Sequence, residues 1–227
     1  MQIYFKRKRR GIKPPSEKTI EFGNFLLQNK EYIEMTFYIV STHDKPENIG
    51  KIKRRFSLYL KQHGLIGNIH LNKYQIHLNE FYNIDENGLK KRRGDLLELL
   101  VQNIKPIYIK SEEYKSYTEC HIYKDKQMIK HADIDVVNES TDKKKAELIE
   151  CKANLKRQLG EKITGKIKNK LDFMNEVKSI SEDLNLDYGL FLATCLSDDI
   201  ECNMVLEENG YGNFKVITSM DIIKNLK

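Results

Sequence analysis

Four charged residues stand in two apolar segments between positions 131 and 154 that otherwise have the pattern of buried β-strands. Asp133 and Asp135 lie in HADIDVV, and Glu150 and Lys152 lie in ELIECKA. Because side chains alternate across a strand, the two aspartates share one face of the first strand. Glu150 and Lys152 share one face of the second for the same reason. An interior strand rarely carries such residues without a chemical role.

A hairpin that turns at residues 142–143 would place Asp135 opposite Glu150, with Lys152 one alternation further on. Cβ atoms of direct cross-strand neighbours lie about 4.5–5.5 Å apart. Two partly desolvated carboxylates at this range repel each other, so one takes up a proton or a cation lies between them. Mg²⁺, with Mn²⁺ as a substitute, is a hard ion that binds oxygen ligands. The Lys152 ammonium would activate water or stabilise charge developing on phosphorus, which predicts phosphodiester hydrolysis.

A structural interpretation of the same residues is also open. Acidic residues at strand ends often form only salt bridges, and Asp135 with Lys152 could be such a pair. One Asp on a strand would favour that interpretation. The pattern D-x-D followed by E-x-K, on one face of consecutive strands with apolar flanks, favours an active site instead.

This stretch resembles the PD-(D/E)XK nuclease superfamily, whose restriction-endonuclease-like core runs α-β-β-β-α-β. In that family an Asp on the second core strand, and a Glu and a Lys on the third, form the active site. Asp135, Glu150 and Lys152 match those positions. Ile134 stands where the family has a proline, which many members lack. The resemblance covers residues 92–195 and does not extend to the first 90 residues.

The resemblance implies a Mg²⁺-dependent nuclease, with a DNA endonuclease of the restriction or defence type as the expected activity. It adds two metal ligands to Asp135 and Glu150: the Glu98 carboxylate, in GDLLELLV, and the backbone carbonyl of Cys151. Glu98 could instead be a solvent-facing helix residue, and the Cys151 thiol is expected to point into the core. An RNA-directed nuclease of the same fold and a catalytically silent nucleic-acid-binding module remain alternatives. A homodimer is plausible, because cutting both strands of a duplex requires two sites.

The elements that would position these residues follow from periodicity and turn signals. Asp95 is expected to cap a strongly apolar helix that ends at Pro106. The pattern then predicts strands at 119–123, 132–138 and 146–152, a helix over 155–181, strands at 188–195 and 214–217, and a closing helix from 219. This α/β order predicts a mixed central sheet flanked by helices, and the resemblance implies that this sheet is a restriction-endonuclease-like core.

The long helix is expected to bury Ile163, Ile167, Leu171, Met174 and Val177, which recur at helical spacing. A second set of residues, all basic, lies nearby and would contact the nucleic-acid backbone: Arg157, Lys162, Lys166 and Lys170. The alternative for this second set is a solvated charged face.

The first 90 residues are expected to form a small α/β region that contacts nucleic acid, sets specificity or dimerises. Alternation predicts a strand over 32–41, an amphipathic pattern predicts a helix over 48–63, and residues 69–81 suggest a hairpin. A basic helix followed by a hairpin is also typical of winged-helix DNA readers. The basic run 6–10 would be a phosphate-contacting arm or a solvated tail. The polar stretch 84–94 suggests the boundary with a nuclease domain over 91–227.

Composition limits the class of protein. The 227 residues carry a net charge of +6 with a pI near 8.9, which favours a polyanionic partner without establishing one. Four cysteines without a CxxC pair make a zinc or iron–sulfur site unlikely. The chain shows no secretory pattern and no apolar run of membrane-spanning length, so a cytoplasmic protein with reduced thiols and no membrane partner is expected.

Overall fold

A six-stranded mixed sheet lies at the centre of the molecule. The structure is a computed structural model that describes residues 2–7, 14–111 and 113–227. The strands are β1 (Ile3–Arg7), β2 (Tyr114–Lys124), β3 (Gln127–Ser140), β4 (Lys145–Cys151), β5 (Asp187–Ala193) and β6 (Phe214–Ile217). They neighbour one another in chain order. Strands β1 to β4 are antiparallel, whereas β5 runs parallel to β4 and β6 parallel to β5.

Helices cover both faces of this sheet. They are α1 (Glu17–Gln28), α2 (Ile33–Thr42), α3 (Ile49–Gln62), α4 (Leu71–Tyr82), α5 (Glu86–Gln102), α6 (Leu155–Leu159), α7 (Gly165–Asp183), α8 (Ile200–Glu208) and α9 (Ser219–Asn225), with 3-10 turns at Lys30–Tyr32 and Pro46–Asn48. The predicted mixed α/β architecture is therefore confirmed. The predicted element order is present as α5, β2, β3, β4, α7 and β5, with the short α6 inserted before α7.

Alternation along β3 and β4 divides the apolar core between the two faces. Val136 and Ile149 pack with α1 to α5, whereas Val137 and Leu148 pack with α7. All five residues of the apolar stripe predicted for the long helix are buried: Ile163, Ile167, Leu171, Met174 and Val177. Because both faces are covered at the centre of the sheet, the interiors of β4 and β5 are apolar on both sides apart from Glu147 and Glu150.

The first region of the chain is helical over 17–82, which corrects the predicted small α/β region. Residues 32–41 were expected to form a strand, but α2 occupies Ile33–Thr42, and Ile33, Phe37 and Val40 are buried at helical spacing. The hairpin expected at 69–81 is the helix α4, which buries Tyr74 and Leu78. The segment 32–41 is apolar on nearly every side and fits both periods, so its packing against α3 and α9 decides for the helix, whereas α4 buries one face against α1 and α5.

The winged-helix alternative required that hairpin and is therefore wrong for this region. The helix expected over 48–63 is present as α3. The strand β1 belongs to the main sheet, where Ile3 pairs with Lys124 of β2. Of the basic run, Lys6 and Arg7 end β1, whereas residues 8–10 lie outside the described residues.

Helix α5 begins earlier than predicted. Asp85 is its N-cap, and its Oδ1 accepts a hydrogen bond of 2.7 Å from the N–H of Gly88. Asp95, the predicted cap, lies in mid-helix and pairs with Lys91 at 2.6 Å. Residues 86–94 are thus the first half of a helix and not a linker, because their lysines and arginines are good helix formers. The division of the chain at residue 90 stays a prediction.

The helix predicted over 155–181 is interrupted. It divides into α6 and α7, and Gly160 and Gly165 both adopt positive φ angles of 61°, which only glycine accommodates readily. Lys162 therefore lies in the connection, one turn before α7, and not on a shared helix face with Lys166 and Lys170. Helix α8 was not predicted, because its exposed Ile200 and Met204 obscure its apolar stripe.

No helix in the described ranges is long and apolar enough to cross a membrane. All four cysteines are free and buried. The cytoplasmic location stays a prediction.

Leu97→Ala tests whether α5 joins the first helices and the sheet in one core. Leu97 is fully buried in the cluster that includes both, so the variant should lower the free energy of unfolding by about 2–5 kcal/mol. Denaturant unfolding followed by circular dichroism measures the change. Leu58→Ala, at a side chain that is 50% exposed on α3, should change it by less than about 0.5 kcal/mol. Similar losses in the two variants would contradict this packing.

Candidate active site

Strands β3 and β4 separate at the candidate site. Their paired register ends at Val136 opposite Ile149, so Asp135 and Glu150 occupy the next position, where the predicted hairpin register places them. The turn before β4 also matches, because the N–H of Lys143 donates to the carbonyl of Ser140 at 2.8 Å. Beyond the separation, β4 continues to pair with β5 and β3 with β2.

The separation frees a backbone donor that Asp135 uses. The N–H of Cys151 no longer has a partner on β3 and donates to Asp135 Oδ2 at 2.8 Å. The Cys151 thiol is buried in the core on the opposite face, as expected. Burial raises the pKa of this thiol, with Asp135 adding to the effect, so the thiol is unreactive and only the backbone of Cys151 faces the site.

Lys152 brings the predicted residues together. Its Nζ lies 2.5 Å from Glu150 Oε1 and 3.8 Å from Asp135 Oδ2, and it also donates to the Cys151 carbonyl at 3.0 Å. The Glu150 side chain is 3% exposed and that of Asp135 17%. Both carboxylates thus contact one ammonium at the same sheet position.

Lys170 reaches the site from α7. Its Nζ lies 3.0 Å from Glu150 Oε2 and 3.5 Å from Asp133 Oδ1, and it donates to the Asp133 carbonyl. The sequence analysis expected Lys170 to contact the nucleic-acid backbone, beside Lys166. Instead it is the second cation of the carboxylate cluster, and its side chain is only 17% exposed.

Burial is the main influence that opposes the ionisation of Asp135. Burial raises its pKa, and the neighbouring Glu150 adds to this, whereas Lys152, Lys170 and the Cys151 N–H act in the other direction; the pKa is about 7. Burial disfavours the charged form of Lys152 and would lower its pKa. The negative charges of Glu150 and Asp135 together have the larger effect, so the pKa of Lys152 is raised. Lys152 is therefore an ammonium at neutral pH.

Glu98 joins this site from α5. Burial is the largest influence on its carboxyl group, followed by the negative charges of Asp135, Asp95, Glu119 and Glu150; together they raise its pKa to about 9. Each of the five influences on this group raises its pKa. The prediction that Glu98 is the charged residue beside the site, and not a solvent-facing one, agrees with this position.

The donor set matches a divalent cation in chemistry, although the ligand atoms of Asp135, Glu150 and Glu98 do not all lie within 4.8 Å of one another. Glu150 Oε2 is buried and, among the described residues, accepts no hydrogen bond, although Lys170 lies beside it. Glu98 is surrounded by carboxylates, and an added cation would favour its ionised form. Asp135, Glu150, Glu98 and the Cys151 carbonyl offer the hard oxygen ligands that Mg²⁺ and Mn²⁺ take.

Glu119 was missed by the sequence analysis. It lies on β2, across from Asp135, and has a φ of 47° that removes it from the regular pairing. Non-glycine residues with such a φ are uncommon and carry strain. No pattern in the sequence indicates this conformation, because the neighbouring residues alternate as in any strand.

The remaining predicted basic residues lie outside the carboxylate cluster. Arg157 is exposed on α6 and pairs with Asp44. Lys162 and Lys166 are exposed. They form part of the surface near the start of α7, and their contact with nucleic acid stays a prediction.

A second group of potential metal ligands lies on α1 and α4. One ligand atom each from Glu21, His77 and Glu80 lie within 4.8 Å of one another. Lys18 already occupies this group, at 2.9 Å from Glu21 and 3.3 Å from Glu80. Burial, with Lys73 adding to it, lowers the pKa of His77. Both carboxylates there already pair with the ammonium of Lys18.

Comparisons with known proteins identify no family. No family model and no curated protein matches the sequence. Among solved structures, the crystal structure of protein VC1899 from Vibrio cholerae is similar, with a TM-score of 0.44 and 14% sequence identity. The match covers 98% of this chain and 56% of that one. At this level of similarity it supports no conclusion about fold or activity.

Glu98→Gln tests the electrostatics of the cluster. A carboxyl group whose pKa is raised by folding stabilises the protein below its unfolded pKa, and this stability is lost as the pH rises toward the folded pKa of about 9. Without added metal, the variant should therefore gain on the order of 1 kcal/mol or more near pH 8 and much less near pH 5. In thermal unfolding, each kcal/mol corresponds to about 2–4 °C in Tm.

Glu208→Gln is the control, because Glu208 is exposed on α8; it should leave Tm unchanged at both pH values. An unchanged or lower Tm for Glu98→Gln at the higher pH would show that Glu98 is not held in a field of negative charge.

Proposed function

We propose that this chain is a divalent-metal-dependent nuclease with a restriction-endonuclease-like core, and that it hydrolyses phosphodiester bonds in DNA. One observation supports this most directly: Asp135, Glu150 and Lys152 converge where β3 and β4 separate. Glu98 adds a fourth charged group from the preceding helix. A salt bridge alone would require one acid and one base, and it would not require this excess of buried carboxylates.

The order of elements is consistent with this proposal. Helix α5 precedes three antiparallel strands, and α7 leads to β5, which pairs in parallel with β4. The acidic pair lies on the second and third of these core strands. This arrangement agrees with the expectation drawn from the PD-(D/E)XK resemblance.

Asp135, Glu150, Glu98 and the Cys151 carbonyl would hold the divalent ion. When bound, the ion supplies Lewis-acid stabilisation of the negative charge that develops during phosphoryl transfer. The pairing of β4 with β5 fixes Glu150, and the hydrogen bond from the Cys151 N–H fixes Asp135, so both carboxylates are held at the site before an ion binds. Such preorganisation is a major source of electrostatic catalysis.

Lys152 acts as a hydrogen-bond donor and a positive charge. The adjacent carboxylates raise its pKa, so it does not serve as a general base at neutral pH. Its ammonium can orient the attacking water and stabilise negative charge on a phosphate oxygen. Lys170 orients Glu150 through the contact with Oε2 and places a second positive charge beside this carboxylate.

The proposed substrate follows from charge and from the resemblance. The net charge of +6 and the exposed Arg157, Lys162 and Lys166 suit a polyanion, and basic side chains on a surface contact phosphates without reading sequence. A restriction or defence role and endonucleolytic cleavage rest on the family resemblance alone. A homodimer would place two sites on a duplex.

Loss of the acidic pair or of the lysine should abolish cleavage. Asp135→Asn, Glu150→Gln and Lys152→Met should each reduce plasmid cleavage in Mg²⁺ by at least about 100-fold, because the first two remove metal ligands and the third removes the ammonium that stabilises developing negative charge. EDTA should abolish cleavage by the wild type. The measurement is conversion of supercoiled plasmid on a gel, with single-stranded RNA digested in parallel.

Lys168→Met is the matched control, since Lys168 is exposed on α7 and pairs with Asp172; its cleavage should equal that of the wild type. Full activity in any of the three site variants removes that residue from the mechanism. Retention of DNA without cleavage under all metal conditions favours the binding module, and preferential digestion of RNA favours the RNA nuclease.

Lys170 and Lys166 offer a paired test one helical turn apart. Lys170→Met should lower kcat by at least about tenfold, because Glu150 loses its second cation, whereas Lys166→Met should only weaken DNA binding modestly. Single-turnover cleavage with excess enzyme separates the two effects. Equal single-turnover rates for the two variants would show that Lys170 has no role beyond backbone contact.

A further inference from the structure

A cavity of about 550 Å³ lies among the first helices, outside the carboxylate cluster. Its lining comes from the end of α2 (Thr42 and His43), the N-cap of α3 (Asn48) and the exposed side of α3: Lys51, Arg54 and Arg55. This volume lies within the range of about 300–1,000 Å³ typical of ligand sites. The three α3 residues give the cavity its chemical character.

The cavity is strongly cationic. Its lining contains no acidic side chain, and in the described part of the chain Lys51, Arg54 and Arg55 form no ion pair with a carboxylate. The neighbouring Asp44 is occupied by Arg157. Burial, followed by the charges of Arg55 and Lys51, lowers the pKa of His43, with Asp44 opposing.

The start of α3 adds to this positive character. Asn48 is its N-cap, yet its side chain makes no capping hydrogen bond and lines the cavity. The first turn of α3 places the positive end of the helix dipole beside it, although the N–H of Ile49 already donates within the preceding 3-10 turn. With Lys51, Arg54 and Arg55 on the same helix, these groups form a site for an anion with several oxygen atoms, such as a phosphate.

Two contacts attach this cavity to the chain that leaves the active-site strand. Asn154, two residues after Lys152, caps α6 and donates from Nδ2 to the carbonyl of Ser41 at 3.1 Å. Arg157 pairs with Asp44. The residues between these two anchors, Thr42 and His43, line the cavity. The cavity and the carboxylate cluster are thus joined through one short segment, 152–157.

We propose that this cavity binds backbone phosphates of the nucleic-acid strand whose scissile phosphate lies at Asp135, Glu150 and Lys152. The proposal rests on the proposed nuclease function and gives the first helices a role in it. The segment 152–157 transmits the position of the bound strand to Lys152. Arg54 and Arg55 supply planar, multidentate donors for phosphate oxygens, and Asn48 adds an amide.

The lining of the cavity suits the backbone of a bound nucleic-acid strand better than it suits a free nucleotide. A pocket for a nucleotide base needs apolar or aromatic walls, whereas this lining is polar and basic. Its contacts would be to phosphate and would carry no sequence information, so they would fix where the strand lies and not which sequence it has.

Arg54→Gln with Arg55→Gln tests the proposal through binding alone. Anisotropy of a fluorescein-labelled DNA duplex, and of its single strand, is measured with the full chain in EDTA, so no cleavage is needed. The double variant should bind at least one of the two DNAs about tenfold more weakly, and the slope of log K against log salt should fall by about two. In Mg²⁺, KM should rise while kcat changes little.

Lys53→Gln with Lys61→Gln is the charge-matched control, since both lysines are exposed on α3 and neither lines the basic cavity. It should change affinity much less than Arg54→Gln with Arg55→Gln. Equal losses in the two double variants would overturn the proposal, since net charge would then explain them. An unchanged affinity and KM in the arginine variant would also overturn it, and would leave cleavage by the carboxylate cluster intact.

A competition experiment with a free mononucleotide completes the test. Adenosine monophosphate should not compete with DNA at concentrations far above that of the protein. Binding of the mononucleotide to the wild type that disappears in the arginine variant, with DNA affinity unaffected, would overturn the strand proposal and assign the cavity to a free nucleotide. If DNA binding depends on the arginines but Mg²⁺ supports no cleavage, the cavity inference survives and the nuclease proposal fails.

Discussion

Repulsion among buried carboxylates is the constraint on which the candidate site depends. Asp135 and Glu150 lie on neighbouring strands where those strands separate, and Glu98 approaches them from α5. Carboxylates at such range are stable only with protons or cations among them. The fold supplies two ammonium groups, from Lys152 and Lys170. These do not offset the influences that raise the pKa of Glu98 to about 9.

The protonated Glu98 connects the architecture with the proposed chemistry, because a bound cation would favour its ionised form. Backbone pairing of β4 with β5 holds Glu150, and the Cys151 N–H holds Asp135, while α5 and α7 bring Glu98 and Lys170 from opposite faces of the sheet. A structural ion pair would be complete with one acid and one lysine. A site that keeps extra carboxylates and a buried Glu150 oxygen without a hydrogen bond is instead suited to a divalent ion, which the proposed phosphodiester hydrolysis requires.

The sequence predicted the parts of the structure that alternation determines. The positions of Asp135, Glu150 and Lys152 follow from a period of two and from the turn at 142–143, and one register satisfies both. The strand predicted over 32–41 was wrong, because a segment that is apolar on nearly every side fits a strand and a helix equally well. The predicted role of Lys170 differed from the observed one for another reason. Its spacing on α7 matches that of Lys166, and only the packing of this helix against the sheet places Lys170 in the site and Lys166 on the surface. The left-handed conformation of Glu119 leaves no trace in the sequence.

Binding of Mn²⁺ tests the central claim most directly, because it requires neither a substrate nor an assumed sequence preference. Electron paramagnetic resonance can count the bound ion in the wild type, in Asp135→Asn with Glu150→Gln, and in Glu21→Gln with Glu80→Gln. The account predicts submillimolar binding by the wild type that Mg²⁺ displaces, its loss in the first variant, and its retention in the second. A folded wild type that binds no ion, or equal binding after removal of Asp135 and Glu150, would contradict it.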